Sequence, residues 1–450
     1  MAAIVWFRDD LRLADHAALS EAAKDQGGLI ALFLLDEVSE EARPLGAATK
    51  WWLHHSLHSL SESLKQHGVS LVLRRGSAEE VLPAILAETG AASVFWNRRY
   101  GPERAIDARL KLTLRKRGIN ARSFAGSLLF EPHTIATGEG TPYRVYSAFW
   151  RACLREAAPA QPLPVPVALR AANKQPRSET IESLVPLPTQ PNWAAEFSEH
   201  WQPGEASANA RLQDFLDDQV NRYQAERDVP SETATSRLSP HLRWGEISPR
   251  AVWYSAVASQ LDVGMFLSEI GWREFAWHTL FHRGVQPHNS LECAPLDHRF
   301  EAFPWRSVED AELTLWQQGK TGFELVDAGM RELWRSGTMH NRVRMVAASF
   351  LVKNMLVDWR VGESWFWDTL LDADRASNPF NWQWIAGCGA DAAPYFRVFN
   401  PTTQLKKFDA DRRYSQRWAP ESVLNPPILD LGDTRLRALE AFDSIKRPLR

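Results

Sequence analysis

The sequence predicts an α/β N-terminal domain built on a doubly wound parallel sheet, followed by a large all-α C-terminal domain. Three observations carry this reading. Short apolar runs alternate with helical patterns over residues 1–130, eight prolines crowd residues 159–191, and long helical periodicity takes over from about residue 205. A chain of 450 residues exceeds one ordinary hydrophobic core, so more than one domain is expected.

The elements follow in order. AAIVWF, LIALFLLD, VSLVLRRG, ASVFWNR and INARSFAG read as short buried strands. Helical patterns cover roughly 49–67, 77–89 and 102–118. Strands alternating with helices imply βαβ units and hence a parallel sheet. No GxGxxG follows the first strand and no GxxxxGK[ST] occurs, so the usual phosphate fingerprints are absent. An open α/β sheet still offers a crevice at the C-terminal ends of its strands. Proline at the density seen in 159–191 opposes helix, and residues 131–204 read as a Pro-rich interdomain connection. Residues 205–450 carry helical patterns at 206–225, 248–261, 264–283, 323–336 and 339–358.

Composition excludes several classes. Apolar residues make up 44% and charged residues 24%, and no run approaches the ~18 to 20 apolar residues of a membrane span. Cys153, Cys293 and Cys388 are far apart and form neither a metal spacing nor a disulfide framework. With no secretory leader, a reducing cytosol is expected. The net charge of −3 rules out a uniformly basic coat, yet 331–360 and 397–417 each carry six basic against two acidic residues. Such runs are usually solvated faces, but they are compatible with gripping phosphates. Twelve of the 20 tryptophans lie between Trp244 and Trp384, which favours stacking or cofactor work in the C-terminal domain.

Four motifs could carry chemistry. TATSRLSPHLRWGEISPR places Thr235, Ser236 and Ser239 in a turn ahead of a helix, either an ordinary cap or an anion cradle. EIGWREFAWH sets Glu274 beside Trp272 and Trp277, where a desolvated carboxylate could titrate high, or where a surface acid simply adjoins buried rings. MHNRVRM puts Asn341, Arg342, Arg344 and Met345 at the polar end of an apolar helix, and Asp372 and Asp374 could pair with those arginines. The two aspartates lack further oxygen ligands, so no metal is expected. In NPFNWQWIAG, Trp382 and Trp384 are two apart and would project about 200° from each other on a helix.

Long segments carry a resemblance. WFRDDLRLADHAAL, TSRLSPHLRWGEISP, WREF, KTGFELVDAGMRELWRSGTMHNRVRMVAASFLVK, DWR, NWQW and GADAAPYFRVFNPTTQ together resemble the photolyase/cryptochrome family, in the same order and over nearly the whole chain. The resemblance implies an N-terminal antenna domain and a helical domain holding FAD. It implies FAD contacts from Tyr223, Thr235, Ser236, Leu238 and Ser239, and a pairing of Arg344 with Asp372. Asp374 is expected in the flavin shell, Asn378 at flavin N5 and Trp272 nearby. It implies a pocket for a flipped pyrimidine dimer lined by Glu274, Trp277, Asn341, Arg342, Met345 and Trp384, with Glu274 bonding the dimer's carbonyl edge. Arg227, Arg397 and Gln404 are expected to grip DNA, and Trp382, Trp359 and Trp305 to form an electron-transfer chain. Trp316 and Trp334 could branch that chain, or simply pack helices.

The activity implied is light-driven repair. Reduced, anionic FAD donates an electron to a cyclobutane pyrimidine dimer in UV-damaged DNA, and the dimer splits to its monomers. The segment His340-Asn341-Arg342 holds only one histidine of the pair typical of (6-4) photolyases, which favours cyclobutane dimers. Asn378, where plant-type cryptochromes tend to carry Asp, favours repair over light sensing. HLRWGEISPR and SEIGWREFAWH most resemble the bacterial class III group, with class I the alternative. The antenna chromophore is expected to be methenyltetrahydrofolate, contacted by Asn97 and Glu103, in a monomeric protein.

Overall fold

A computed structural model describes residues 1–307, 309–392 and 396–446. Five parallel strands, β1 (Ala3–Phe7), β2 (Leu29–Leu35), β3 (Leu71–Arg75), β4 (Ser93–Asn97) and β5 (Asn120–Phe124), lie in the order β3-β2-β1-β4-β5. The order reverses between β1 and β4, which makes the doubly wound topology the strand–helix alternation predicted. Along β1, Ala3, Val5 and Phe7 enter one core while Ile4 and Trp6 enter the other. Burial on both faces explains why β1, β2 and β4 read as near-continuous apolar runs.

Helices Ala47–Gln66, Ala78–Thr89 and Arg104–Lys116 match the sequence expectation to within a few residues. A further short helix, Ala17–Ala22, has no sequence counterpart. Its N-cap is His16, whose Nδ1 accepts from the Leu19 N–H at 3.0 Å, a residue outside the usual capping set.

Residues 159–191 run mostly as extended chain along the sheet. The Leu29 N–H donates to the Arg170 carbonyl, and the Ala172 N–H donates back to Leu29. The Glu179 N–H donates to Leu73 on the β3 edge. The longer span 131–204 also contains a helix, Tyr146–Cys153, that packs on the helical unit: the Tyr146 ring stacks on Trp272 at 3.8 Å. Its apolar face buries Phe149 and Cys153, which no proline interrupts.

The helical unit contains Glu205–Asp214, Pro249–Ala258, Gly264–His282, Glu324–Ser336 and Asn341–Ser349, where periodicity placed them. The first and last of these continue into single π-helical turns, Phe215–Gln219 and Phe350–Asn354.

The loop after β1 joins the two units through buried charge. The Asp15 carboxylate accepts two hydrogen bonds from Arg250, from Nε at 3.0 Å and Nη2 at 2.7 Å. Arg12 donates to the carbonyls of Gly245 and Gly126, each at 2.8 Å. Asp10 pairs with His16, which pulls its carboxyl down to about 2 against the cost of burial. Gly245 is required at this contact: its φ is +61°, and a Cβ there would lie 2.2 Å from the Asp9 carbonyl oxygen.

Arg250→Met leaves Asp15 buried without its cation. It is expected to cost about 3–5 kcal/mol, read as a lowered urea midpoint.

Candidate active site

Two adjoining cavities of about 500 and 560 Å³ lie inside the helical unit. Both fall in the range of cofactor sites. Tyr223, Leu238, Asn341, Arg344 and Asp372 border both, so the two form one continuous space.

At its centre the Arg344 guanidinium meets Asp372 fork to fork, at 3.1 and 2.9 Å, and its Nε donates to the Met339 carbonyl at 2.7 Å. Three directed bonds fix the cation, and the pairing expected from sequence is present. Asp374 also borders the space, but its oxygens accept from the Ala376 and Ser377 N–H groups and the Ser377 hydroxyl. These bonds fix it to the turn that leads into the next helix, Ser377–Ala386.

Asn378 sits in the first turn of that helix. Its Nδ2 donates to the Glu363 carboxylate at 2.8 Å and to the Glu363 carbonyl at 3.0 Å. A carboxylate only accepts, so the amide is fixed with Oδ1 as the free acceptor beside the cavity. Glu363 in turn takes both Nη groups of Arg43, at 2.7 and 2.8 Å. Arg43 belongs to the loop after β2, so the sheet unit reaches the cavity wall through this relay. Burial raises the Glu363 carboxyl, with Arg43 opposing.

The outer cavity is bordered by Thr235, Ser236 and Ser239. The helix they precede, Ser239–Arg243, is barely one turn long, so hydroxyls rather than a helix dipole supply the polarity. Arg237, which sequence reading passed over, borders the same space and has no carboxylate partner. Its guanidinium lies over the Trp201 ring at 4.2 Å, and burial lowers its pKa to about 10. An exposed arginine without a carboxylate partner among the described residues, beside three hydroxyls, suits a phosphate anion. The signal was its place inside TSRLSP.

The Ser377–Ala386 helix separates the two neighbouring tryptophans as their spacing predicts. Trp382 is buried against Phe366 at 4.9 Å and Trp316 at 6.5 Å. Gly362 allows this packing, because a Cβ there would lie 2.1 Å from the Trp382 ring. Trp359, one turn before Gly362, lies in the same core, and Trp305 packs against that core. Trp384 is half-buried on the cavity, with Arg397 over its ring at 4.9 Å. Lys353, in the second π-helical turn, donates to the Ala386 carbonyl at 2.6 Å and anchors the C-terminal end of this helix. Trp316 is fully buried and donates to the Ala347 carbonyl; Trp334 stacks on Trp365 at 6.2 Å, near the surface.

The structure corrects the assignment on Gly264–His282. The face toward the cavity carries Glu269, Trp272, Arg273 and Ala276. Glu274 lies five residues past Glu269, about 140° around the helix. It is 2% exposed and accepts from the Leu129 N–H at 2.9 Å and the Phe130 N–H at 3.3 Å. Glu274 therefore cannot reach a substrate in this space. Trp277 faces a separate cavity beside the strand ends. The carboxylate of this helix that does border the space is Glu269, which the sequence reading missed. Its signal is Trp272, three residues on and one turn away, already placed at the cofactor.

The cations expected on DNA are less free than sequence implied. Arg227 pairs with Glu269 at 2.5 Å and Arg342 with Asp228 at 2.5 Å, both at the cavity wall. Asn341 and Met345 border the same space. Arg397 is exposed, while Gln404 is half-buried off the cavity with Oε1 unpartnered.

The cavity at the strand ends measures about 120 Å³ and is bordered by Asn97 and Glu103. Asn97 spends its amide on Asp10 at 2.9 Å and on the Ala18 N–H at 3.3 Å, and Glu103 pairs with Arg375 at 2.7 Å.

Residues 3–167 match a family model described as DNA photolyase, and 266–427 one described as the FAD binding domain of DNA photolyase. A deoxyribodipyrimidine photo-lyase of Agrobacterium fabrum is 46% identical across 99% of this chain and 98% of its own. Cryptochrome-1 of Arabidopsis thaliana is 35% identical across 99% of this chain and 69% of its own. Among solved structures, a bacterial class III photolyase from Agrobacterium tumefaciens superposes with a TM-score of 0.93, at 46% identity and over 99% and 98% of the two chains. An archaeal photolyase from Sulfolobus tokodaii, solved with two FAD molecules, gives 0.83 at 25% identity, over 99% and 100%.

Burial pushes the Glu274 carboxyl up to about 7, so the native state holds this proton more tightly than the unfolded chain does. Its stabilising contribution is complete below the ordinary carboxyl range and is lost as pH rises through about 7. Glu274→Gln keeps an acceptor for the two N–H groups and removes the titration. Urea unfolding from pH 4.5 to 7.5 is expected to show wild type losing stability relative to this variant as pH rises.

Proposed function

From the premise that the chain belongs to the DNA photolyase family, we propose that it is a deoxyribodipyrimidine photolyase: a light-driven enzyme that uses reduced FAD to split cyclobutane pyrimidine dimers in UV-damaged DNA. The observation that carries this reading is the single continuous space between Arg237 and Trp384. It offers a phosphate end, a paired Arg344–Asp372 centre and an aromatic mouth.

The donor set fits FAD. Arg237, Thr235, Ser236 and Ser239 would hold the phosphates, with Tyr223 and Leu238 as walls. The flavin would lie against Arg344, Asp372 and Trp272, where the Asn378 Oδ1 can accept from a ring N–H. When bound and reduced, FAD supplies a light-excited electron donor. An uncharged amide held by Glu363 assists that group without adding a second anion beside Asp372.

The protein's own side chains do the rest. A dimer stacked in duplex cannot reach the cavity, so it must be extruded, which costs less for damaged bases. Trp384 and Met345 wall the mouth, with Asn341 and Arg342 beside them. We assign to Glu269 the hydrogen bond to the dimer's carbonyl edge, the role expected of Glu274. Its partner Arg227 orients it and supplies positive charge near a phosphate. Arg397, exposed over Trp384, is proposed to grip the strand, with Gln404 beyond it. Trp382, Trp359 and Trp305 are proposed to pass electrons inward from the surface. Indole is easily oxidised, and all three belong to one packed core.

A folate antenna held by Asn97 and Glu103 does not fit these residues as they stand. Their polar atoms are committed, and the space is small for such a ligand. The identity to a class III structure supports that class. No helix among the described residues is long and apolar enough to cross a membrane. The proposed setting is the cytosol, with the protein acting as a monomer.

Purified protein with reduced flavin is expected to restore UV-irradiated oligo(dT) under blue light, and flavin-loaded protein that leaves the dimers intact would overturn the repair reading. Trp382→Phe is expected to stop photoreduction of oxidised flavin while sparing repair once the flavin is reduced chemically. Glu269→Gln is expected to weaken repair by roughly 10- to 100-fold, on the scale of about 1.5–3 kcal/mol for a hydrogen bond to a charged group. Glu274→Gln leaves repair near wild type, and the reverse ranking would restore the original assignment.

A further inference from the structure

The helix Ala47–Gln66 carries the run WWLHHSLHSL, and none of its histidines borders the cavities described above. His54 and His58 are four residues apart and therefore share one helix face, with ring centroids 4.9 Å apart. Facing them is Glu182, in the short helix Ile181–Leu184 near the end of the Pro-rich stretch. The Glu182 Oε1 lies 3.2 Å from the His58 Nε2. One donor atom from each of the three residues lies within 4.8 Å of the others.

A second observation concerns the tautomer. His54 is 6% exposed, and its Nδ1 lies 2.8 Å from the Val185 carbonyl. A carbonyl only accepts, so Nδ1 carries a proton, and Nε2 is the nitrogen left to bind an ion. An imidazole anchored through its other nitrogen to a backbone carbonyl is the arrangement in which histidine binds metals. The ring is thus oriented, with Nε2 turned away from the carbonyl, before any ion arrives.

We infer that His54, His58 and Glu182 form a binding site for one divalent transition-metal ion of the zinc class. The ligands are His54 Nε2, a ring nitrogen of His58 and a Glu182 oxygen, with water in the fourth position. Zinc bonds of about 2.0–2.1 Å at tetrahedral angles put donors roughly 3.3 Å apart. His58 and Glu182 are exposed, so side-chain rotation of about an ångström closes the set around the fixed His54. Two imidazoles and one carboxylate suit zinc, nickel or cupric ion. They do not suit calcium or magnesium, which take more oxygen ligands, or cuprous ion, which prefers sulfur.

His55 stands outside the set. Its ring packs on Trp51 at 4.5 Å. The ion would staple the end of the interdomain connection to the helix that covers the sheet. No metal spacing is visible in sequence because the carboxylate comes from a distant segment.

The test uses the tag-free, full-length flavoprotein, stripped with EDTA and titrated with zinc sulfate at pH 7.5 by isothermal titration calorimetry. One equivalent is expected to bind, with a rise in melting temperature. His58→Ala and Glu182→Gln are each expected to weaken binding roughly tenfold or more and to abolish that rise. His55→Ala should bind as wild type, and an unchanged flavin spectrum in every variant shows that each is folded. No uptake at equimolar zinc, undiminished binding by His58→Ala, equal competition by magnesium, or loss of binding in Cys293→Ser instead would each overturn the site.

Discussion

The arrangement of the active cavity depends on charge that is paired before any ligand enters. Arg43, from the sheet unit, neutralises Glu363. Glu363 Oε1 also accepts from the Asn378 amide, and Asn378 Oδ1 is left without a partner among the described residues beside the cavity. A buried carboxylate without its cation would protonate or draw in water, and the amide would lose its fixed orientation. One interdomain ion pair therefore decides which face of an asparagine the cofactor space sees.

The same economy extends through the site. Arg344 is spent on Asp372, Arg227 on Glu269 and Arg342 on Asp228. Arg237 and Arg417, both at the outer cavity, have no carboxylate partner among the described residues, and the Arg237 pKa is lowered. An enzyme that must hold a dianionic pyrophosphate at one end and an electron-rich flavin at the other gains from this asymmetry. Free positive charge belongs at the phosphates, and compensated charge belongs at the ring. Electrostatic preorganisation of this kind costs nothing further at the moment of reaction.

Much of the fold was legible. Burial on both faces of a parallel sheet writes itself as uninterrupted apolar runs in β1, β2 and β4, whereas edge strand β5, NARSF, buries only Ala121. The Ala17–Ala22 helix was not legible, because one turn and a half with a histidine cap carries too little periodicity. The Tyr146–Cys153 helix was obscured by the prolines that follow it. In the site, the Arg344–Asp372 pair and the opposed directions of Trp382 and Trp384 were readable, since helix geometry fixes the angle between residues two apart. The choice of carboxylate on Gly264–His282 was not. Glu269 and Glu274 both neighbour a tryptophan in sequence, and which one faces the cavity depends on how that helix is rotated against its neighbours.

By itself the sequence determined the α/β-then-helical order, the family and the residue types available to the reaction, because these follow from periodicity and long ordered motifs. The tertiary structure alone decided which of those residues meet. The Glu363 bond to Asn378 bridges two helices, and Arg43 reaches that bond from a different unit. Arg237 is exposed as an unpaired cation only because no acid folds against it, and Glu182 approaches His54 and His58 only after the connection wraps back along the sheet. Contacts between distant segments are set by packing of whole elements, and no local pattern records them.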